Sequence, residues 1–178
     1  AIGGDTDGAS AGPVPGQWGG LIFRRDSDLN DDVLGDRDLA NRPAVFLNAV
    51  YQADLSYGGG QVDVNSVAEV FAPLHMVSER PTLAYNHISN SADAAISADP
   101  NSFDDSLGRI GPDVHGNRVT NNSINGIFIR IKTQFGVPID KLEVRARFDD
   151  TDITHVLTEN LHIVGNAGGA LVVNEIQH

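Results

Sequence analysis

Oxygen-bearing side chains at alternate positions are the first groups in this chain that could do chemistry. "DSDLNDD" sets Asp26, Asp28, Asn30 and Asp32 two residues apart, and "DTDG" does the same with Asp5 and Asp7. A hard cation such as calcium gathers several such oxygens. Counted as an EF-hand loop from Asp26, the sixth position is Asp31 instead of glycine and the twelfth is Arg37 instead of glutamate, so that motif fails. Calcium remains the candidate cation for an irregular site on Asp26, Asp28, Asn30 and Asp32, and a solvated acidic loop would use the same residues. Asp149, Asp150 and Asp152 in "FDDTDI" form a second acidic group, and Asp104 with Asp105 a third.

Polysaccharide cleavage is the other chemistry to weigh. It needs carboxylates a few ångströms apart, or a carboxylate-held cation beside a basic residue that takes a proton. Alternation along "GIFIRIKTQF" sends Ile127, Ile129 and Ile131 inward and Phe128, Arg130 and Lys132 outward. In "KLEVRARFDD" it sends Leu142, Val144, Ala146 and Phe148 inward, with Glu143, Arg145, Arg147 and Asp149 outward. If these two strands stack, Arg130, Arg145 and Arg147 line up as a basic stripe ending at Asp149. Such a stripe is a candidate catalytic wall. The same charges on neighbouring strands also pair and solvate a face, each pair contributing roughly 0.2 to 1 kcal/mol.

Other reactive types point to packing. His75, His87, His115, His155, His162 and His178 show no HxH or HExxH spacing. Trp18, Tyr51, Tyr57 and Tyr85 could offer a sugar-stacking platform, but with aromatics at 6% core or edge packing is the first expectation, and Trp18 in "QWGG" suits a cap on the first ordered strand. Gly58 to Gly60 and "GNAGG" at 165 to 169 lack the strand and helix that flank a phosphate-binding loop, and read as turns.

The elements that must position these groups are strands. The chain has 178 residues, 40% hydrophobic, which suits one domain with a substantial core. Residues 1–16 read as a loop and 17–178 as a single unit. Lys and Arg number 12 against 24 Asp and Glu, a net charge of −12 that works against binding a nucleic-acid backbone or an anionic membrane surface. Without cysteine there is no disulfide framework, thiolate site or cysteine nucleophile. No apolar run reaches the roughly 20 residues that span a bilayer, which predicts no membrane insertion. The opening "AIGGDTDGASAG" has no initiator Met and no basic-then-apolar leader, as expected of a processed or excised piece of a longer chain.

Nineteen glycines and short β-branched runs between turn residues favour strands throughout. Leu21 and Phe23 are expected on one strand face with Ile22 on the other, and Val45, Leu47 and Ala49 on one parity of the next strand. "RRDSDLNDDVLGDRDLANR", residues 24–42, is a charged surface excursion. "VDVNSVAEVFAPLHMV" fits either two strands or one helix, and the scarcity of a polar face favours strands.

One pattern recurs. Setting Asn86 on Asn117, 31 positions apart, matches Ile88 with Val119, Ser89 with Thr120, Asn90 with Asn121, Ala95 with Gly126 and Ile96 with Ile127. Repeats of about 20 to 50 residues mark stacked architectures, in which each unit buries its apolar face against its neighbours. A chain that turns a corner after each short strand needs left-handed residues, which Asn tolerates better than other non-glycine types. Asn86, Asn90, Asn117 and Asn121 are therefore the expected turn residues, with amides that can bond from one unit to the next.

These lines, "GQWGGLIF", "NHISN", "NRVTNNSINGIFI" and "RFDDTDITHVLTENLHIVGNAGG", resemble the right-handed parallel β-helix modules, of pectate-lyase-like architecture, in large bacterial surface and secreted proteins. The resemblance runs from Gln17 onward and implies an all-β solenoid with inserted loops and at most a short helix. It implies an extracellular or cell-surface setting and a non-catalytic structural or adhesive module, whose neighbours are further modules or identical subunits in a layer or fibre. The alternative it implies is a carbohydrate-active or sugar-binding domain, with polysaccharide as partner.

Overall fold

Short apolar segments punctuated by left-handed residues can pair only as brief strands, and the backbone forms many of them. A computed structural model describes residues 12–24, 48–64, 66–104, 112–131, 141–150 and 152–165. In chain order the strands are β1 Leu21–Arg24, β2 Ala49–Tyr51, β3 Asp54–Ser56, β4 Gln61–Val64, β5 Val67–Val70, β6 Leu74–Val77, β7 Thr82–Ala84 and β8 His87–Ser89. They continue as β9 Ala94–Ala98, β10 Asp113–His115, β11 Arg118–Thr120, β12 Ile124–Ile129, β13 Lys141–Leu142, β14 His155–Val156 and β15 His162–Ile163. Among the described residues the helical content is one 3-10 turn, Pro100–Phe103, capped by the Asp99 side chain.

Three parallel sheets organise these strands. The largest runs β1-β6-β9-β12-β14, and two three-stranded sheets run β2-β7-β10 and β3-β8-β11. The chain visits them in a fixed order: β2, β3, β6, then β7, β8, β9, then β10, β11, β12. Each pass forms one row of the structure. The β4–β5 hairpin is antiparallel and is inserted in the first row, so the described residues of "VDVNSVAEVFAPLHMV" form strands and no helix.

Register carries the inward residues into lines. Val50, Leu83 and Val114 are partners in one small sheet, and Leu55, Ile88 and Val119 in the other. In the large sheet Leu74, Ile96 and Ile127 align, as do Met76, Ala98 and Ile129. These side chains share one core with Phe103, and Phe23, Val50, Leu55 and Val119 pack against it. At about 25 cal/mol per Å² of apolar surface removed from water, this shared interior supplies the main driving force.

One parity reading changes, and another falls mostly on residues outside those described. Val45 and Leu47 lie outside the described residues, and Ala49 is exposed while Val50 turns inward, because pairing of Val50 with Leu83 fixes that parity. "KLEVRARFDD" is not one strand: pairing stops after Leu142, and Ala146 makes an isolated antiparallel bridge to Asp104. Phe148, expected inside, is 37% exposed and stacks on Phe103 at 4.3 Å between centroids.

Candidate functional site

The corners between the small sheets hold the most ordered polar chemistry. Gln52, Tyr85 and Gly116 follow the ends of β2, β7 and β10, and all are left-handed, with φ of 52°, 56° and 64°. After β3, β8 and β11 come Tyr57, Asn90 and Asn121, with φ of 63°, 55° and 57°. Each side chain there costs backbone energy that glycine would not, of order 1 to 2 kcal/mol. The backbone N–H at these positions bonds into the following row: Gln52 to the Ala84 carbonyl at 3.1 Å, Tyr85 to His115 at 3.1 Å, Tyr57 to Ser89 at 3.0 Å and Asn90 to Thr120 at 3.2 Å.

A left-handed corner strands the carbonyl before it and the N–H after it, and asparagine answers both at once. Asn86 Nδ2 donates to the Val50 carbonyl at 2.9 Å while its Oδ1 accepts from Ala53 N–H at 2.9 Å. One row on, Asn117 Nδ2 donates to Leu83 O at 2.6 Å and its Oδ1 accepts from Asn86 N–H at 2.9 Å. Asn86 Nδ2 also reaches Asn117 Oδ1 at 3.0 Å, which joins the two amides. At the second corner Asn122 does the same work, donating to Ile88 O at 3.0 Å and accepting from Ser91 N–H at 2.9 Å. Sequence reading singled out its neighbour Asn121 and missed Asn122; the signal was the doubled asparagine in "VTNNS", one residue for the left-handed turn and one for the bonds.

The basic stripe does not assemble. Strand β12 pairs with β9 and β14, whereas β13 pairs with β15, so Arg130 and Arg145 do not stand on adjacent strands. The Arg130 guanidinium forms an ion pair with Asp93 and lies 5.3 Å from the Phe128 ring centroid, with only 27% of its side chain exposed. Arg147 pairs with Asp149 at 3.7 Å, both near half exposed.

Two carboxylates of the second acidic group are engaged with backbone. Asp150 Oδ1 accepts from Val114 N–H at 3.4 Å, and Asp152 Oδ2 accepts from Gly116 N–H. Asp26, Asp28, Asn30 and Asp32, with Asp5, Asp7 and Asp105, lie outside the described residues. Among the described residues no three His, Asp or Glu side chains converge in a way that could hold a metal ion.

Histidines divide between interior and surface. His75 is 5% exposed, bonds Ser97 Oγ through Nδ1 at 2.8 Å and stacks on Phe71. His155 Nε2 lies 3.7 Å from Asp150 Oδ2, with Phe103 and Phe148 set edge-on around its ring. His87 Nε2 meets Thr120 Oγ1 at 3.2 Å, and His115 Nδ1 meets Asp113 Oδ1 at 2.6 Å. His178 lies outside the described residues.

Aromatic residues depart most from expectation. Tyr51 and Tyr85, expected to pack, are 55% and 53% exposed. Their ring centroids are 5.4 Å apart, and Tyr85 is 5.1 Å from the His115 ring, so three rings from successive rows form an outward column. Alternation explains Tyr51, because Val50 takes the inward position beside it. Trp18 Nε1 donates to Ser56 O at 2.8 Å, and its ring abuts Gly58, where a Cβ would come within 3.1 Å. Gly58 to Gly60 are buried and do more than turn: Gly59 N–H bonds Gly19 O at 2.9 Å and Gly60 N–H bonds Trp18 O at 2.8 Å, a backbone approach that leaves no room for side chains.

Comparison with known proteins gives no match to a family model, a curated protein or a solved structure.

Proposed function

We propose that the three parallel sheets are the faces of a right-handed parallel β-helix, and that the chain is a non-catalytic structural or adhesive module of an extracellular or cell-surface protein. One observation carries this reading: the asparagines that recur along the chain are spent on joining successive rows, with Asn86, Asn117 and Asn122 each clamping the row before it. Of the residues that could have formed a catalytic wall, Arg130 is engaged elsewhere, with Asp93. A stack of rows whose polar groups satisfy one another resists deformation along its axis, which suits a spacer or a unit of a layer or fibre.

Partners of such a module are neighbouring modules or identical subunits, because strand edges at either end of a stack invite a further strand. Light scattering and electron microscopy on the purified chain over a concentration series test this. End-to-end oligomers or short rods are expected, with no depolymerisation of polysaccharide with or without calcium. Cleavage that disappears in Arg145→Ala would contradict the non-catalytic reading.

A further inference from the structure

The geometry points to Thr120 as an acyl acceptor, whose hydroxyl is activated by His87 and takes an acyl group from an activated ester to become an O-acyl threonine. The inference goes beyond the structural reading and leaves it standing, because each chain takes up one acyl group. Three successive rows supply the three groups. Asp54 on β3, His87 on β8 and Thr120 on β11 lie on the outer face, opposite the inward line of Leu55, Ile88 and Val119. Asp54 Oδ1 is 3.6 Å from His87 Nδ1, and His87 Nε2 is 3.2 Å from Thr120 Oγ1. A hydroxyl within hydrogen-bond reach of an imidazole, whose other nitrogen faces a carboxylate, is the arrangement that makes a weak oxygen nucleophile reactive.

Strand register alone does not produce this contact. His87 stands beside Arg118 and Ser89 beside Thr120, so the imidazole reaches two residues along the face to meet the hydroxyl. The neighbouring hydroxyls are committed to one another: Ser56 Oγ and Ser89 Oγ are 3.0 Å apart, and Ser56 Oγ donates to Asp54 Oδ1 at 3.0 Å. The site is open to a reagent, since the side chains of His87 and Asp54 are 39% and 72% exposed and β11 is the outermost strand of its sheet among the described residues. In the step itself Thr120 Oγ1 attacks the acyl carbon while its proton passes to His87 Nε2. The new Oγ1–C bond replaces the C–O bond to the leaving group, which takes the proton from Nε2 and departs as the alcohol. Asp54 is the positioning residue: its carboxylate favours the tautomer with the proton on Nδ1 and steadies the imidazolium. Arg118 is exposed on the same face two residues earlier, about 6.6 Å along the strand, a span its side chain can bridge to meet charge developing on the carbonyl oxygen.

Incubation of the full chain with p-nitrophenyl acetate, followed by peptide mass spectrometry, tests the acceptor. Acetylation of Thr120 is expected at least about tenfold faster than at any other threonine or serine, as a hydroxylamine-sensitive ester. His87→Gln, which keeps a hydrogen-bonding side chain beside Thr120 but no base, is expected to slow it about 100-fold. Asp54→Asn is expected to slow it about three- to fivefold, the scale of an exposed charge pair, with the rate restored in Asp54→Glu. Thr120→Ser is expected to keep the reaction and Thr120→Val to lose it. Circular dichroism melts establish that each variant is folded, and Asp54→Asn, at the most exposed of the three positions, is the variant least able to fail that way. Equal labelling of all hydroxyls, an unchanged rate in folded His87→Gln, an Asp54→Glu variant as slow as Asp54→Asn, or nitrophenol release from Thr120 beyond one equivalent would each overturn the proposal. Assembly into rods is read by scattering and microscopy, so the acceptor and the structural reading fail separately.

Discussion

At the scale of single residues, Asn86 shows how a side chain substitutes for backbone pairing where the chain bends. It is 1% exposed and bonds Ala53 N–H, Val50 O and Asn117 Oδ1, so removing its amide leaves buried polar groups without partners. Each such group costs about 1 to 3 kcal/mol. Asn86→Ala is therefore expected to lose about 2 to 4 kcal/mol in urea unfolding, and Asn117→Ala a similar amount; a loss under about 0.5 kcal/mol would refute the clamp. The left-handed asparagines behave differently. At Asn90 the conformation itself is the constraint, so Asn90→Ala is expected to cost about 1 kcal/mol and Asn90→Gly much less. Equal losses in both variants would mean that the φ of 55° is not what selects the residue.

Legibility at this scale followed side-chain type. The 31-residue match was visible because Asn, a β-branched residue, a hydroxyl residue and Asn recur at 86 to 90 and 117 to 121. The preceding row, "ADLSYG" at 53 to 58, occupies the same register yet hides the repeat, since Ala53 and Tyr57 stand where Asn86 and Asn90 stand later. The left-handed tyrosines at 57 and 85 carried no sequence signal, because tyrosine reports strand propensity and says nothing of positive φ.

At the scale of elements, alternation within strands was readable and pairing between them was not. Ile127, Ile129 and Ile131 are buried as the pattern in "GIFIRIKTQF" predicts. "KLEVRARFDD" obeys the same alternation but forms only two residues of strand, because its partner β15 is equally short and Phe148 turns to stack on Phe103. Neighbours of a parallel strand are set by distant segments, so no local pattern could show that β12 joins β9 and β14 while β13 joins β15. The consequence for Arg130 is a structural role. Removing it leaves Asp93, 16% exposed at its side chain, without its cation, so Arg130→Ala is expected to cost about 1 to 3 kcal/mol by thermal or urea unfolding. Ile96→Ala, at the fully buried centre of the large sheet, is expected to cost about 2 to 5 kcal/mol. If Ile96→Ala costs under 1 kcal/mol, the shared interior is not the source of stability.

At the scale of the whole molecule, the claim is that successive rows lie directly on one another, with residues 31 to 33 positions apart as neighbours. The absence of native cysteine makes this accessible to a single introduced pair. Register places Asp54 beside His87 and His87 beside Arg118 on the exposed face, at about one strand spacing, near 4.8 Å. A disulfide tolerates Cα separations of about 4.4 to 6.8 Å, whereas Asp54 and Arg118 stand two spacings apart and fall outside that range. The decisive measurement is the free-thiol content after mild oxidation of three double variants, Asp54→Cys with His87→Cys, His87→Cys with Arg118→Cys, and Asp54→Cys with Arg118→Cys. The first two are predicted to close an intramolecular bridge and lose both thiols, while the third keeps both in the monomer. Closure of the third pair, or failure of the first two in folded protein, would contradict the stacking of rows.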